Sequence, residues 1–423
     1  MQFTDAWMAG KLGSTELAAM TPAGLLVSLL SIFGIEALTG VTAAVSQAIG
    51  KEKPTVAAMA TWQGIYCGAL FGLLCLVFYP AAYQVFDVLI RNQSHELLTL
   101  ETQYFQISLL GLAPLMVATA LGNFFTGIGR TRTVMLASLV GVAANGLFSY
   151  ALAFGFAGIG AMGFAGLAWG TLAATVLQGL ILFACYLAPA PLRRIYRTHA
   201  AGFSKKRAWR LIRTGLPAGL HGSVDYLAWG VVLTWLISFF GEAHLGAQTI
   251  MVRCITLSFL PADGLASALT TLVGQATGAR DYLLARRYAR AGFLLIVTWM
   301  GTIGLIYVCF GGWIVRLFTD DPAVIAAGST AILWVAAFQF FDAMNVTYTN
   351  ALQGAGDTAW PGAVNLTLSL VILLGGGLAV ITFLPGTASS GVWAVATFYI
   401  FCQGMIFYRR WRTRAWQNPA LRV

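Results

Sequence analysis

The chain has 423 residues, of which 58% are hydrophobic and 9% charged, and its mean hydropathy is +0.77. A soluble domain has roughly a quarter of its residues charged, so this composition excludes a chain wetted on all sides. Long unbroken apolar runs also exclude a closed β-barrel, whose strands would alternate and carry polar lumen positions. What remains is an all-α integral membrane protein.

In chain order, residues 1–10 form a short apolar fragment. Apolar spans follow at 21–49, 55–79, 98–124, 133–155, 162–189, 212–238, 245–274, 285–310, 325–352, 362–384 and 390–409. Each is long enough to cross about 30 Å of hydrocarbon as a helix. The opening fragment would cross only about half of it. It reads as the outer end of a first helix whose earlier part is missing, through truncation or a late start codon, which makes twelve spans and puts both termini of the full-length protein on one side.

The basic residues then divide unevenly. One side receives Lys51, Lys53, Arg130, Arg132, the run from Arg193 to Arg213, the group Arg280, Arg286, Arg287 and Arg290, and the tail Arg409, Arg410, Arg412, Arg414 and Arg422. The other receives Lys11, Arg91 and Arg316. The positive-inside rule makes the basic side cytoplasmic. The net charge of +10 therefore reflects topology and implies no nucleic-acid partner.

"VSQAIG" at 45–50 returns as "VGQATG" at 273–278, and "NFFTGIGRT" at 123–131 returns as "NALQGAGDT" at 350–358, at nearly one spacing. This predicts two six-helix repeats in the same orientation: an N-terminal lobe at 1–189, a basic cytoplasmic connection at 190–211, a C-terminal lobe at 212–409 and a basic tail at 410–423. Parallel repeats enclose a cleft that rocking exposes to either side in turn, which is a transporter's geometry, and two repeats in one chain can act as a monomer. "GFAGLAWG" (163–170) marks close helix contacts. Gly50, Gly278, Gly127, Gly129, Gly354 and Gly356 read as helix ends and tight turns. The cysteines lie in or beside apolar spans without paired ligand spacing and read as packing residues. There is no GxxxxGK[ST] loop, no HExxH, and the histidines are scattered, so neither an enzyme, a cofactor nor a built-in ATP engine is expected.

Several motifs resemble those of the multidrug and toxic compound extrusion (MATE) transporters, bacterial branch. They are "TDAWMAGKLGSTELAA" near the start, the paired "VSQAIG" and "TLVGQATGAR", the paired turns "TGIGRTR" and "QGAGDT", and "RTGLPAGLHGSVDYL" at 213–227. The resemblance runs in order from residue 1 to about 409. It implies twelve helices in two bundles forming a V-shaped cleft, with export of organic, often cationic, molecules driven by inward movement of H+ or Na+; the short joints suit a bacterial inner membrane. Members of that family have more first helix before the aspartate that Asp5 resembles.

An acid inside the membrane costs several kcal/mol unless it is paired, wetted or neutralised. Asp342 lies midway along its span, and Asn345, Thr349 and Gln353 follow at helical spacing as one polar stripe. It reads as a site for protons, cations or positively charged substrate, the alternative being a carboxylate held by neighbouring polar groups; the resemblance adds that the family has an aspartate there. Asp225 stands where the family often has a glutamate and reads as a cation or substrate contact, the alternative being helix packing; His221, one turn earlier, is either a relay or a neutral core histidine. Asp5 resembles the family's N-lobe coupling aspartate, and Asn145 its asparagine partner, with Ser149 where some members have a second aspartate. One charge is then missing, so Asp5 and Asn145 would hold Na+ weakly and favour protons.

Glu36 and Asp263 fall at matching places in the two repeats, and either neutralise themselves in a buried polar network with Arg253 or contact substrate. Tyr226, Trp229, Phe341 and Tyr348 adjoin the acids and can stack on an organic cation. A flippase for lipid-linked oligosaccharide or peptidoglycan precursor is the competing function. It would need a basic cleft for diphosphate, where this sequence has acids.

Overall fold

The structure, a computed structural model, describes residues 2–89, 94–156 and 160–417. Arg91 and Arg422, which entered the charge asymmetry, lie outside the described residues. The helices are α1 (Gln2–Leu12), α2 (Ser14–Gly50), α3 (Pro54–Cys75), α4 (Ala82–Leu89), α5 (His95–Gly127), α6 (Thr131–Phe154), α7 (Phe164–Leu187) and α8 (Ala190–Tyr196). They continue with α9 (Lys205–Ser238), α10 (Glu242–Gly278), α11 (Tyr282–Arg316), α12 (Pro322–Ala355), α13 (Ala359–Phe383) and α14 (Ala388–Arg412). Among the described residues, 11 helices are long and apolar enough to cross a membrane, all of them at the places the hydropathy predicts.

Several helices outrun those spans, while α7 falls short of its own at both ends. α2 and α10 have 37 residues each, about 55 Å at the α-helical rise, against about 30 Å of hydrocarbon. Hydropathy stops where polar side chains begin, while the backbone keeps its internal hydrogen bonds until it is clear of lipid. α9 accordingly begins at Lys205, within the segment read as a loop, and α8 occupies another part of it. Side-chain caps fix three starts: Ser94, Asp281 and Asp321 accept from the backbone N–H of Leu97, Leu284 and Ala323 at 3.2, 2.9 and 2.8 Å. α9 and α13 each contain a π-helical stretch, Ala228–Val232 and Ser369–Gly376.

The chain falls into two units, one drawn from Met1–Val45 and Lys53–Gly215, the other from Ser46–Glu52 and Leu216–Val423. In the first, α7 lies directly on α6 through two glycines. A Cβ at Gly166 would stand 2.5 Å from the Leu152 carbonyl carbon, and one at Gly170 2.5 Å from Ser149 Cα and Oγ. Aromatic pairs fill the core beside them, with Tyr104 on Phe164 at 5.2 Å and Phe86 on Phe105 at 5.5 Å.

The segment after α8 is fastened to α3 within this unit. Trp62 Nε1 donates to the Thr198 carbonyl at 2.8 Å, Gln63 Nε2 to Gly202 at 2.8 Å, and Tyr66 Oη to Ala201 at 2.7 Å. Gln63 Oε1 accepts from Ser204 N at 2.9 Å. Leu192 and Thr198 are buried, and Tyr196 packs on Phe124 at 5.5 Å. Burial pushes the Tyr196 hydroxyl above its ordinary pKa, and the Arg130 charge opposes that shift.

In the second unit, Gly50 and Gly278 are the last residues of α2 and α10. A Cβ on either would run into the other helix end, at the Gln275 or the Gln47 carbonyl. They are glycines because backbone meets backbone, not only because the helices stop. Gly129 and Gly356 hold left-handed turns with φ of +79° and +91°, as a turn reading requires. Gly127 and Gly354, read as turn residues too, are instead helical, packed on Val45 and on the Thr270 backbone.

Candidate functional site

Each unit buries a polar cluster built around one of the predicted acids. In the first unit Asp5 on α1 is 2% exposed. Its Oδ2 accepts from Thr171 Oγ1 on α7 at 2.7 Å; its Oδ1 accepts from Asn145 Nδ2 and Ser149 Oγ on α6, both at 3.3 Å. Asn145 Nδ2 also donates to Thr171 Oγ1 at 2.8 Å. Asn145 Oδ1 is buried with no partner among the described residues. The result is a group of hard oxygen atoms carrying one formal negative charge, the donor set that suits a proton or a small hard cation.

The sequence brought Asp5, Asn145 and Ser149 together on resemblance. Thr171 was missed. Its hydroxyl lies one residue beyond Gly170, so the glycine contact that seats α7 on α6 also delivers it to the carboxylate.

In the second unit Asp342 on α12 is 4% exposed. Its Oδ1 accepts from Asn345 Nδ2 at 3.2 Å, and Thr349 Oγ1 donates to Asn345 Oδ1 at 3.4 Å, so the stripe is a chain of hydrogen bonds. Asp225 on α9 lies within electrostatic reach of Asp342 and beside the Trp229 indole. No basic side chain pairs with either acid among the described residues. Two carboxylates near each other without a counter-ion repel when both are ionised, so a bound cation or proton is what relieves the pair.

A second layer of polar groups adjoins this pair. Tyr399 Oη on α14 donates to Asn365 Oδ1 on α13 at 2.5 Å, Gln403 Nε2 donates to the same oxygen at 2.8 Å, and Asn365 Nδ2 donates to the His221 carbonyl on α9 at 3.1 Å. Asn365 thus ties three helices around Asp225. His221 places its ring against the Pro361 carbonyl and 6.4 Å from Phe407.

The remaining candidates lie elsewhere. Glu36 is half-buried on α2, where its carbonyl accepts from Thr39 Oγ1 at 2.7 Å. Asp263 and Arg253 are exposed on α10, and no ion pair joins either to another described residue. Trp229 packs on Phe338 at 5.1 Å and Tyr399 at 6.2 Å. Phe341 meets Phe401 at 5.1 Å, Tyr348 is buried between Phe293 and Tyr408, and Tyr226 is half-buried. Two further buried acids were not picked out from the sequence: Glu101 on α5, inside the apolar span at 98–124, and Asp357, in the turn motif "QGAGDT".

Among the described residues, 11 helices long and apolar enough to cross a membrane, with a buried acid centre in each unit, define a multi-pass membrane transporter. The MatE family profile matches residues 1–151 and 223–378, and the chain belongs to that family of multidrug efflux transporters, which are not enzymes. It is 28% identical over 414 residues, 96% of this chain and 90% of the other, to a protein of Deinococcus radiodurans named "Probable multidrug resistance protein NorM". The protein of the same name from Xanthomonas campestris is 30% identical, covering 85% of this chain and 78% of the other. Among solved structures, an outward-facing multidrug resistance MATE family transporter of the MOP superfamily matches with a TM-score of 0.86 at 18% identity, over 100% of this chain and 92% of that one. A MOP superfamily transporter from Pyrococcus furiosus matches with a TM-score of 0.86 at 18% identity, over 99% and 92%.

Proposed function

We propose that the chain is a secondary active antiporter of a bacterial inner membrane, exporting organic cations in exchange for H+ or Na+. The observation that carries this is the Asp342–Asp225 pair: two acids in membrane-crossing helices, beside neutral partners, with no base among the described residues to neutralise them. Such a site is stable when it holds a positive charge and costly when empty. That is the property an exchanger needs, since the site passes from coupling ion to cationic substrate without standing vacant.

The Asp5 cluster supplies a second position for the coupling ion. With Ser149 in place of a second acid, it carries one negative charge among neutral oxygens, which favours a proton over Na+. A flippase for a diphosphate-linked lipid would need bases where these acids stand.

The test is efflux of ethidium from proteoliposomes with Na+ and pH gradients imposed separately, using the wild-type chain, Asp342→Asn and Asp5→Asn. Efflux driven by one gradient and lost in Asp342→Asn supports the exchanger and names its ion. Efflux indifferent to both gradients, or unchanged in both variants, overturns it.

A further inference from the structure

We infer that the segment from α8 through the first turns of α9 is a binding site for the headgroups of anionic phospholipids. Residues 190–213 contain basic side chains and no acidic one. Arg193, Arg194 and Arg197 precede the strap fastened to α3, and Lys205, Lys206 and Arg210 follow it; all six are exposed. None of them pairs with a carboxylate among the described residues. Clustered bases with no internal counter-ion leave their charge to the surroundings.

Exposed apolar groups stand among these bases and fix what those surroundings are. Ile195, Phe203 and Trp209 are 55%, 67% and 66% exposed. From Trp209 the exposed apolar positions continue along one face of α9 through Ile212, Leu216 and Leu220, the spacing of a helix face turned to acyl chains. The bases cluster about the N-terminal end of that face, with Arg213 one turn along it, which sets them at the depth of the headgroups. Tryptophan at that boundary with lysine and arginine just beyond it is the arrangement of an interfacial anchor.

A nucleic acid or a soluble polyanion would meet the bases and leave Ile195, Phe203 and Trp209 in water. A lipid monolayer satisfies both sets at once. The strap supplies the rigidity: Trp62, Gln63 and Tyr66 hold four backbone groups of the intervening segment, so the two basic groups are presented together with little ordering left to lose on binding.

The experiment uses the full chain in nanodiscs of phosphatidylcholine alone or with phosphatidylglycerol, read by hydrogen exchange over 193–213, and native mass spectrometry of retained lipid. Phosphatidylglycerol should slow exchange in this segment and be retained in preference to phosphatidylcholine. Arg193→Gln/Arg194→Gln/Arg197→Gln should weaken its retention by about tenfold or more at low salt, while the three Arg→Lys changes should restore it. Equal retention of both lipids, unchanged exchange in wild type, or loss in the lysine variant overturns the inference. Displacement by inorganic phosphate or by RNA as effective as that by phosphatidylglycerol also overturns it, because either would show a soluble anion as the occupant.

Discussion

Replacing Gly170 by alanine puts a methyl group 2.5 Å from Ser149 Cα and Oγ, about 1 Å inside ordinary carbon contact. Backbone lines one wall of that gap, so no flexible side chain can swing away, and α7 must move off α6. Overpacking of this kind costs about 1–3 kcal/mol. The functional effect is larger than that figure implies, because the Asp5 cluster straddles the seam. Thr171 comes from α7, Asn145 and Ser149 from α6, and the Thr171 bonds to Asp5 and Asn145 are 2.7 and 2.8 Å. A shift of about 1 Å takes both beyond hydrogen-bonding distance.

Gly170→Ala should therefore lower the thermal midpoint in detergent and raise the coupling-ion concentration needed for half-maximal efflux. Gly111→Ala is the control: a Cβ there meets nothing within 4 Å, and alanine in a helix is favoured over glycine by about 1 kcal/mol. If both variants matched wild type in melting and ion dependence, the reasoning from the seam would be refuted.

Three further outcomes follow from the same clusters. Thr171→Val removes a hydrogen bond to a charged group worth about 1.5–3 kcal/mol, so half-saturation by the coupling ion should shift by at least about tenfold, and Thr171→Ser should restore it; an unshifted valine variant would remove Thr171 from the site. Asn365→Leu strips the acceptor from Tyr399 and Gln403, leaving two buried donors unpaired at about 1–3 kcal/mol each; the melting loss should be partly recovered when Tyr399→Phe and Gln403→Leu are added, and simple additivity would argue against a hub. Arg410→Ala leaves Asp357, which is buried and receives the Arg410 Nε at 2.8 Å, without its counter-ion, and should cost about 3–5 kcal/mol; Asp357→Asn in the same chain should return part of the lost thermal stability.

What was legible in the sequence follows from physics that acts along the chain. Apolar runs gave the crossing helices, because lipid tolerates little else. The small residues of "GFAGLAWG" announced a close helix contact, though not with which helix, and Asp342 with Asn345 and Thr349 showed one face of one helix. What was not legible depends on which helices meet. Thr171 is one threonine among many that bond to their own helix backbone, and nothing along α7 says it turns to a carboxylate on α1. Asn365 stands in the apolar run "AVNLTLSLVILL", where a lone amide has no stripe to betray it. The π-helical stretches in α9 and α13 insert a residue without changing composition.

The strap has a consequence for how the chain can be cut. A run of lysines and arginines between two membrane halves looks like an open invitation to trypsin, but a protease must draw its target into an extended form before it cleaves. Here the carbonyls of Thr198, Ala201 and Gly202 and the amide of Ser204 are already committed to α3, and the residues on either side are helical. Cleavage then waits on local opening, so its rate reports how often the strap lets go.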